Sequence, residues 1–342
     1  MERMELARPP RRILCVATPG FGDALLATPL IRSLKRAWPA ASIDLLVHRG
    51  REAMLEGNPD LHRALPVRKR PGPFALLAML ARLTGRYDLA LCAMPSDRNM
   101  FTMRLAARRL VVSLYGSPSR SPTKRRVATL AFQKDMQANT VGQMLAFADV
   151  LGIPRCFEVV PPTPAVPPTE VPDQPFAVVH ATTRREAKRW SEDGWRAVGA
   201  ALQRAGLQPV VTAGPDDDRG YLDRVQTWLG AATLDLAGRL SIAEVGALSS
   251  KAALFFGVDT ATSHLAAAVG APTVTLFGSG NSLVWSPWPR GYDRDFVPFS
   301  GRPGVERVGN VTVVQAGADG LDSLPPEPVL EAIQATLASK PS

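Results

Sequence analysis

The feature that most constrains the fold is an alternation of apolar, strand-like runs with helix-like runs, repeated on both sides of a proline-rich stretch. Parallel strands need long crossover connections, and helices usually supply them. The proline-rich stretch carries seven prolines between Pro161 and Pro175, and proline cannot continue the interior of a sheet or a helix. The sequence therefore predicts two doubly wound α/β domains joined by a linker.

The predicted boundaries are 1–160 for an N-terminal Rossmann-like domain, 161–175 for the linker and 176–342 for a C-terminal Rossmann-like domain. A chain of 342 residues exceeds one ordinary core, which agrees with two domains. In folds of this kind ligands bind beyond the carboxyl ends of the strands. We therefore expect the chemistry in strand-to-helix loops that face a cleft between the domains.

The cysteines and the apolar segments indicate a reduced, cytoplasmic protein. Cys15, Cys92 and Cys156 are far apart and lie in or beside apolar runs, which favours buried thiols over disulfides or a metal knuckle. The N-terminal residues lack the apolar core of a signal peptide. The longest charge-free stretch, 260–289, is too rich in Gly, Pro, Ser, Thr and Asn to span a bilayer.

Basic side chains are concentrated in the first half of the chain. Residues 1–160 contain 25 Lys and Arg against 12 Asp and Glu, whereas the rest contains 15 against 19. This excess indicates an anionic partner, such as nucleic acid, lipid headgroups or a phosphorylated glycan, but it is equally typical of an arginine-rich solvated surface. The apolar segment FALLAMLARLTG, flanked by RKRPGP, is open to two interpretations: membrane contact or an ordinary crossover helix.

The loop after the first predicted strand, TPGFGDALLATP, places one carboxylate between two glycines and a helix predicted to begin at Ala24. Gly20 and Gly22 can adopt positive φ and allow close approach of a backbone or a ligand. Asp23 falls near the N-cap, where aspartate is common. Two interpretations stay open: Asp23 caps the helix, or it is the base of an active site, held over a substrate hydroxyl.

A second unusual loop, ATTRREAKRW, follows a strand that ends at His180. Thr182, Thr183 and Lys188 lie in the turn that leads to the next helix. Hydroxyls, backbone N–H groups and an ammonium beside a helix start suit a diphosphate. The alternative is that the threonines cap the turn and the lysine is solvated.

A third loop follows a very apolar strand, which delivers Asp259 at its carboxyl end. Thr260 comes next, and His264 stands at the start of an alanine-rich helix. The N–H groups of residues 260–263 are accessible to an anion, and Asp259 can accept hydrogen bonds from sugar hydroxyls. A histidine at a helix start is also an ordinary polar residue, but the polar run TATSH after a buried strand favours a functional loop.

Several function classes lack their motifs. The first loop reads G-x-G-D rather than the dinucleotide fingerprint, and the second is not a Walker A loop. The triplet DDD at 216–218 does not converge on one ion, so we interpret it as a helix start from which Asp217 reaches a ligand. Neither CxxC nor HExxH occurs, so no metal is predicted. No helix-turn-helix, aromatic RNA motif or zinc finger is visible, so no nucleic-acid partner is predicted.

Taken together, the loops resemble one family. The heptosyltransferases of glycosyltransferase family 9 are similar in order and spacing over nearly the whole chain, through the segments GDALLATPLIRSLK, HATTRREAKRW, DLAGRLSIAEVGAL and GVDTATSHLAAAVGAPTVTLFG. Within that family the segments KRW, LFFGVDTATSHLAAA and LFGSGNSLVWSPW look most like the heptosyltransferase III type, which adds a side-branch heptose to the lipopolysaccharide inner core.

The resemblance implies an α/β protein of the GT-B fold that moves L-glycero-D-manno-heptose from ADP-heptose, with inversion and without a metal or other cofactor. It implies a donor held mainly by the second domain and a lipid-linked inner-core acceptor held by the first. It also implies a monomer that works peripherally on the anionic cytoplasmic face of the inner membrane. Other heptosyltransferases, or a GT-B enzyme with a different nucleotide sugar, remain alternatives.

The resemblance also implies roles position by position. Asp23 matches the catalytic base, and Lys188 matches a residue that stabilises the departing diphosphate. Between ATTR and K-x-W this chain carries one residue more than the heptosyltransferase I pattern, so the register of Thr182 against Thr183 stays open. The donor-binding residues implied are Thr182, Thr183, Asp217, Asp259, Thr260 and His264, and the acceptor-binding residues are Gly22 and Arg120.

Overall fold

A computed structural model describes residues 3–17, 20–114, 122–183, 186–294 and 298–339. Its contacts divide the chain into two compact units. Unit 1 contains the chain up to Val160 and a short segment that begins at Asp293, and unit 2 contains Pro161–Tyr292 and the C-terminal remainder. Residues 151–175, around the predicted linker, lie in neither helix nor strand.

Unit 1 is a six-stranded parallel sheet with helices between the strands, as far as the described residues go. The strands are β1 (Arg12–Val16), β2 (Ser42–His48), β3 (Arg63–Val67), β4 (Tyr87–Cys92), β5 (Ala107–Leu114) and β6 (Leu130–Gln133). The helices are α1 (Phe21–Leu26), α2 (Thr28–Ala37), α3 (Pro73–Leu83), α4 (Asp97–Ala106), α5 (Pro122–Val127) and α6 (Thr140–Val150).

The strand order in unit 1 is β3-β2-β1-β4-β5-β6, which is the order of a Rossmann-type sheet. β1 lies in the centre and pairs with β2 on one side and β4 on the other. Its residues from Ile13 to Val16 are buried, because a central parallel strand is covered by helices on both faces. The chain order reverses between β1 and β4, so the loop after β1 lies at the position where such sheets bind ligands.

Unit 2 repeats this plan with one antiparallel strand added at its edge. The strands are β7 (Phe176–His180), β8 (Gln208–Val211), β9 (Leu234–Asp235), β10 (Leu254–Val258), β11 (Thr273–Phe277), β12 (Gly304–Val308) and β13 (Val311–Gln315). The helices are α7 (Glu192–Arg204), α8 (Arg219–Leu229), α9 (Ile242–Ser249), α10 (Ala261–Val269), α11 (Ser282–Trp285) and α12 (Pro326–Ala338).

The strand order in unit 2 is β12-β13-β11-β10-β7-β8-β9. β7 and β10 are fully buried neighbours at the centre, and the chain order reverses between them. Trp195 of α7 packs against Phe256 of β10 with ring centroids 5.5 Å apart, and both side chains are fully buried. An apolar core therefore fixes the central strands and the starts of the loops that follow them.

The structure corrects the predicted helix after β1. The sequence predicts one helix from Ala24, but α1 begins at Phe21 and a second helix begins at Thr28. Pro29 lies in the first turn of α2, and proline is tolerated there but not inside a helix, so the chain starts a new helix at this point. Asp23 therefore lies in the first turn of α1 rather than before it.

Other elements had weak signals. β3 carries a proline at the sheet edge and β6 has only four residues, and sequence analysis assigned neither. The hairpin of β12 and β13 and helix α12 were also not assigned. One local prediction is confirmed: the three cysteines are free and buried. At the start of α9, Ser241 and Glu244 form a capping box. Among the described residues no helix has the length and apolarity needed to cross a membrane.

Candidate active site

The candidate base of unit 1 lies in the first turn of α1, directly after the loop that follows β1. Asp23 is the third residue of α1, and its Oδ2 accepts a hydrogen bond of 2.7 Å from the backbone N–H of Gly20, the N-cap. This is one half of a capping box, since a glycine N-cap has no side chain to complete the other half. The capping bond uses Oδ2 and does not by itself occupy Oδ1.

Glycine at position 20 is required by this contact. A Cβ at Gly20 would lie 2.8 Å from Asp23 Oδ2, so any larger residue would displace the carboxylate. Gly20 has a φ of −95° and Gly22 lies inside α1, so neither uses the positive φ that glycine allows. Close approach is the reason for Gly20. The second acceptor candidate, Arg120, lies outside the described residues.

Sequence analysis missed one ionisable residue near Asp23. Lys134 follows β6, and its backbone N–H donates to the carbonyl oxygen of Leu114 at 2.8 Å. Burial lowers the pKa of the Lys134 ammonium, and the nearby negative charge of Asp23 partly opposes this shift. The signal was a lysine at the carboxyl end of a strand, but the strand itself was not recognised.

In unit 2 the predicted donor residues follow three strands that are neighbours in the sheet. β10, β7 and β8 lie side by side, and all three are parallel. Their carboxyl ends therefore meet at one edge. The loop after β7 carries Thr182, Thr183 and Lys188, the loop after β8 carries Asp217, and the loop after β10 carries Asp259. The fold thus brings together candidates that are far apart in sequence.

The first pair of loops is joined through a buried hydroxyl. Thr182 Oγ1 donates to Asp217 Oδ2 at 2.8 Å, and the same carboxylate oxygen accepts from the backbone N–H of Gly214 at 2.7 Å. Asp218, the next residue, caps α8 by accepting from the backbone N–H of Tyr221. The acidic triplet is therefore a helix start, as predicted, and Asp217 is held towards Thr182.

His180 contacts the Thr182 hydroxyl and thereby helps to fix the Thr182–Asp217 pair. Its Nε2 lies 3.2 Å from Thr182 Oγ1, and its Nδ1 lies 3.1 Å from Thr212 Oγ1. Since the single hydroxyl proton of Thr182 goes to Asp217, Nε2 carries the ring proton and donates to Thr182. Burial lowers the pKa of His180 to about 4 although Asp217 opposes the shift, so the ring is neutral at pH 7.

The second pair of loops is joined by an ion pair. Lys188 Nζ donates to the Asp259 carboxylate and also to the Asp259 backbone oxygen at 3.0 Å. These residues follow β7 and β10, the two strands between which the chain order reverses. The lysine ammonium is therefore fixed at the position where α/β sheets bind ligands.

Helix α10 begins immediately beside this ion pair. Thr260 is its N-cap and makes no side-chain cap bond; its hydroxyl lies 2.8 Å from that of Thr262. The first N–H groups of a helix have no partner within the helix and favour an anion. His264 lies in the first turns of α10 and is buried. Gly280 passes close to Asp259, since a Cβ there would lie 3.1 Å from Asp259 Oδ2.

One predicted donor residue, Thr183, remains to be placed. Thr183 is half-buried beside Thr182. Two tryptophans follow β11 in the same unit. Trp285 is partly exposed, whereas Trp288 is buried and donates through Nε1 to the Tyr292 carbonyl oxygen at 3.1 Å, so Trp288 belongs to the core. In the part of the chain that the structure describes, no three His, Cys, Asp or Glu side chains come together as metal ligands.

Two Rossmann-type units in one chain, with the candidate residues close to the carboxyl ends of their strands, are the architecture of the GT-B fold. The solved structure of E. coli heptosyltransferase WaaC with ADP shares this fold, with a TM-score of 0.75 and 21% identity over 95% of this chain and 99% of that chain. The model of glycosyltransferase family 9 (heptosyltransferase) matches residues 129–294.

Two characterised relatives extend the match. Lipopolysaccharide heptosyltransferase 3 of Escherichia coli strain K12 is 31% identical over 78% of this chain and 82% of its own length. Lipopolysaccharide heptosyltransferase 1 of Salmonella typhimurium is 26% identical over 78% of this chain and 88% of its own. The chain belongs to glycosyltransferase family 9, and it is a glycosyltransferase. The family, the enzyme class and the fold class predicted from the sequence are confirmed.

Proposed function

We propose that this protein transfers L-glycero-D-manno-heptose from ADP-heptose to the inner core of lipopolysaccharide, with inversion at the anomeric carbon and without a metal ion. The relatives named above carry lipopolysaccharide heptosyltransferase activities in their names. Identity is higher to heptosyltransferase 3 than to heptosyltransferase 1, and this supports the transfer of a side-branch heptose.

One observation carries the proposal: three neighbouring loops of unit 2 bring Thr182, Lys188, Asp217 and Asp259 to one edge of the sheet. A diphosphate at the start of α10 would meet the helix N–H groups and the Lys188 ammonium together. These groups would balance the negative charge that develops on the departing ADP, a role that a metal ion fills in other transferases.

The carboxylates suit the sugar part of the donor. Asp259 and Asp217 are acceptor groups at the same sheet edge, and sugar hydroxyls are donors. A carboxylate near a diphosphate is repelled by its negative charge. The Lys188 ammonium, which is paired with Asp259, would offset this repulsion because it would contact both anions. Thr182 already donates to Asp217, so Thr183 is the better candidate for a direct bond to the diphosphate.

Asp23 of unit 1 would act as the general base. It would accept the proton of the acceptor hydroxyl as that oxygen attacks the anomeric carbon opposite the diphosphate, and the C–O bond to the diphosphate would break. One carboxylate oxygen suffices for this, so capping through Oδ2 and catalysis through Oδ1 are compatible. The proposal requires Asp23 to reach an acceptor bound next to the donor held by unit 2.

The acceptor would be a lipid-linked core oligosaccharide at the cytoplasmic face of the inner membrane, and the enzyme would act as a peripheral monomer. The excess of basic residues in 1–160 supports an acceptor with carboxylate and phosphate groups. Attraction of this kind weakens as salt is added, because exposed charges are screened over about 10 Å at 0.1 M ionic strength.

The direct test incubates the purified protein with ADP-heptose and truncated core acceptors, and determines the mass, linkage and anomeric configuration of the product. We expect one heptose added as a side branch, undiminished by EDTA. Product formed only with the acceptor of heptosyltransferase I or II would replace the III-type assignment. Consumption of a UDP- or GDP-sugar in preference to ADP-heptose would overturn the donor assignment.

A further inference from the structure

Helix α3 presents an apolar face to solvent. Phe74 and Leu77 are 86% and 66% exposed, and Ala78 and Ala81 continue the same face at helical spacing. The opposite side of α3, which includes Leu83, packs on the unit. A crossover helix needs only this inner side to be apolar, because its outer side normally carries polar residues. The outer face of α3 therefore has no role in covering the sheet.

The neighbouring helix α4 also exposes large apolar side chains. Phe101 and Leu105, one turn apart, are 57% and 37% exposed. Two hydrogen bonds fix α3 beside α4: Arg98 Nη1 donates to the Lys69 carbonyl oxygen at 2.6 Å, and the Gly85 N–H donates to the Leu105 carbonyl oxygen at 2.8 Å. The helices thus run parallel, and both leave large apolar side chains in water.

Basic residues flank these apolar side chains in the sequence, and Arg82 lies on α3 one turn after Ala78, beside the apolar face. Residues 68–109, which hold both helices and their flanks, contain nine Lys and Arg against two Asp and Glu. Most of the basic side chains are exposed, among them Arg68, Lys69, Arg70, Arg82 and Arg86. An apolar face inside a basic rim complements an anionic lipid surface, because apolar groups enter the acyl boundary while the cations meet the headgroups.

We infer that the apolar face of α3 and α4 (Phe74, Leu77, Phe101 and Leu105) with its basic rim is a docking surface for an anionic lipid bilayer. A soluble protein rarely leaves a patch of this kind uncovered. The charge balance favours lipid over a second copy of the chain, because two copies would bring their basic rims together. The surface lies within unit 1, so the inference is independent of how the donor is bound.

The test is sedimentation of the full-length protein with vesicles of 30% phosphatidylglycerol and 70% phosphatidylethanolamine, against vesicles of phosphatidylcholine alone. The variant F74S/L77S removes apolar contact, R82Q/R86Q removes rim charge, and V166S/V305S is a matched control that alters exposed valines elsewhere. We expect the wild type and the control to bind only the anionic vesicles. Partitioning should fall about tenfold or more in F74S/L77S and about tenfold in R82Q/R86Q at low salt.

Two further readouts separate the alternatives. Transfer to a deacylated, soluble core acceptor should be unchanged in F74S/L77S, and this shows that the variant is folded and that only the lipid contact is lost. Vesicle binding is measured without substrates, so its result is distinct from that of the transfer assay. Equal partitioning of F74S/L77S and wild type would overturn the inference. So would sedimentation velocity that shows a wild-type dimer which the variant abolishes, because a second copy would then cover the face.

Discussion

The segment after β1 in unit 1 and the loops after β7, β8 and β10 in unit 2 hold acidic residues in different ways. Asp23 lies in the first turn of α1, and its carboxylate accepts from the backbone of the same segment, the Gly20 N–H. Asp217 also accepts from a backbone N–H of its own loop, but Asp217 and Asp259 are in addition bound to side chains of another loop, Thr182 and Lys188. A local cap orients one carboxylate, whereas the bonds in unit 2 tie neighbouring strands together.

A helix cap explains the position of one carboxylate, but no single element explains the side-chain pairs of unit 2. The position of Asp23 is explained by the helix start alone, so its catalytic role depends on the proposed reaction. The pairs Thr182–Asp217 and Lys188–Asp259 are explained by no single element, since each joins two loops at a sheet edge where ligands bind. The pairs in unit 2 therefore indicate a ligand site more directly than the position of Asp23 indicates a base.

Asp23→Asn is expected to have the largest effect on transfer activity. The amide oxygen can still accept from Gly20 N–H, but it cannot take a proton, so transfer should fall by about 10²- to 10⁴-fold. ADP affinity by calorimetry and the melting temperature should stay at wild-type values. Asp97→Asn, at another first helical turn of unit 1, is the control and should keep full activity. If Asp23→Asn transfers at the wild-type rate, Asp23 is only a cap.

Lys188→Ala is expected to have the second-largest effect on transfer activity. Removing one donor that stabilises developing charge typically costs about 10²- to 10³-fold in kcat. Weaker binding of ADP should accompany the loss, because the same ammonium would contact the diphosphate of bound ADP in the proposed site. Lys251→Ala, an exposed lysine of unit 2, serves as the control. Unchanged kcat and ADP affinity in Lys188→Ala would mean that the ion pair with Asp259 is structural.

His180 makes a prediction about pH. Its pKa is lowered in the folded protein to about 4, from an ordinary value of 6.5, so the stability that depends on a neutral ring is fully present above pH 6.5. It is lost as the pH falls from 6.5 through 4, by about 3 kcal/mol in total. Urea unfolding between pH 7.5 and 4 measures this loss. His180→Asn should be less stable than the wild type at pH 7.5, but its free energy of unfolding should change less between pH 7.5 and 4. An equally steep decline in the variant would show that His180 is not the group that titrates.

Substitutions of Thr182 and Thr183 are expected to have the smallest effects. Thr182→Val removes the buried hydroxyl that bonds both Asp217 Oδ2 and His180 Nε2, so the free energy of unfolding should fall by about 1–3 kcal/mol. Thr183→Val should weaken ADP binding, because Thr183 is proposed to contact the diphosphate. Urea unfolding and calorimetry on both variants measure this. The reverse pattern would exchange the roles assigned to the two residues.

The sequence predicted the strands and loops that carry the site, because buried parallel strands are long apolar runs and their loops hold unusual polar residues. It did not reveal the break in the helix after β1, since the apolar periodicity continues through Pro29. It also could not reveal that Lys188 pairs with Asp259 or that Thr182 pairs with Asp217. Those contacts depend on the strand order, which is a property of the whole sheet. Lys134 was missed because β6 is too short to recognise.

The central claim is that the loops of unit 2 hold the sugar nucleotide while Asp23 of unit 1 activates the acceptor. The most direct measurement is a crystal structure of the protein with a non-transferable ADP-heptose analogue and a core acceptor. We predict the diphosphate at the start of α10 beside Lys188, and an Asp23 oxygen about 3 Å from the attacking hydroxyl. An analogue bound away from Lys188 and α10, or an acceptor hydroxyl out of reach of Asp23, would contradict it.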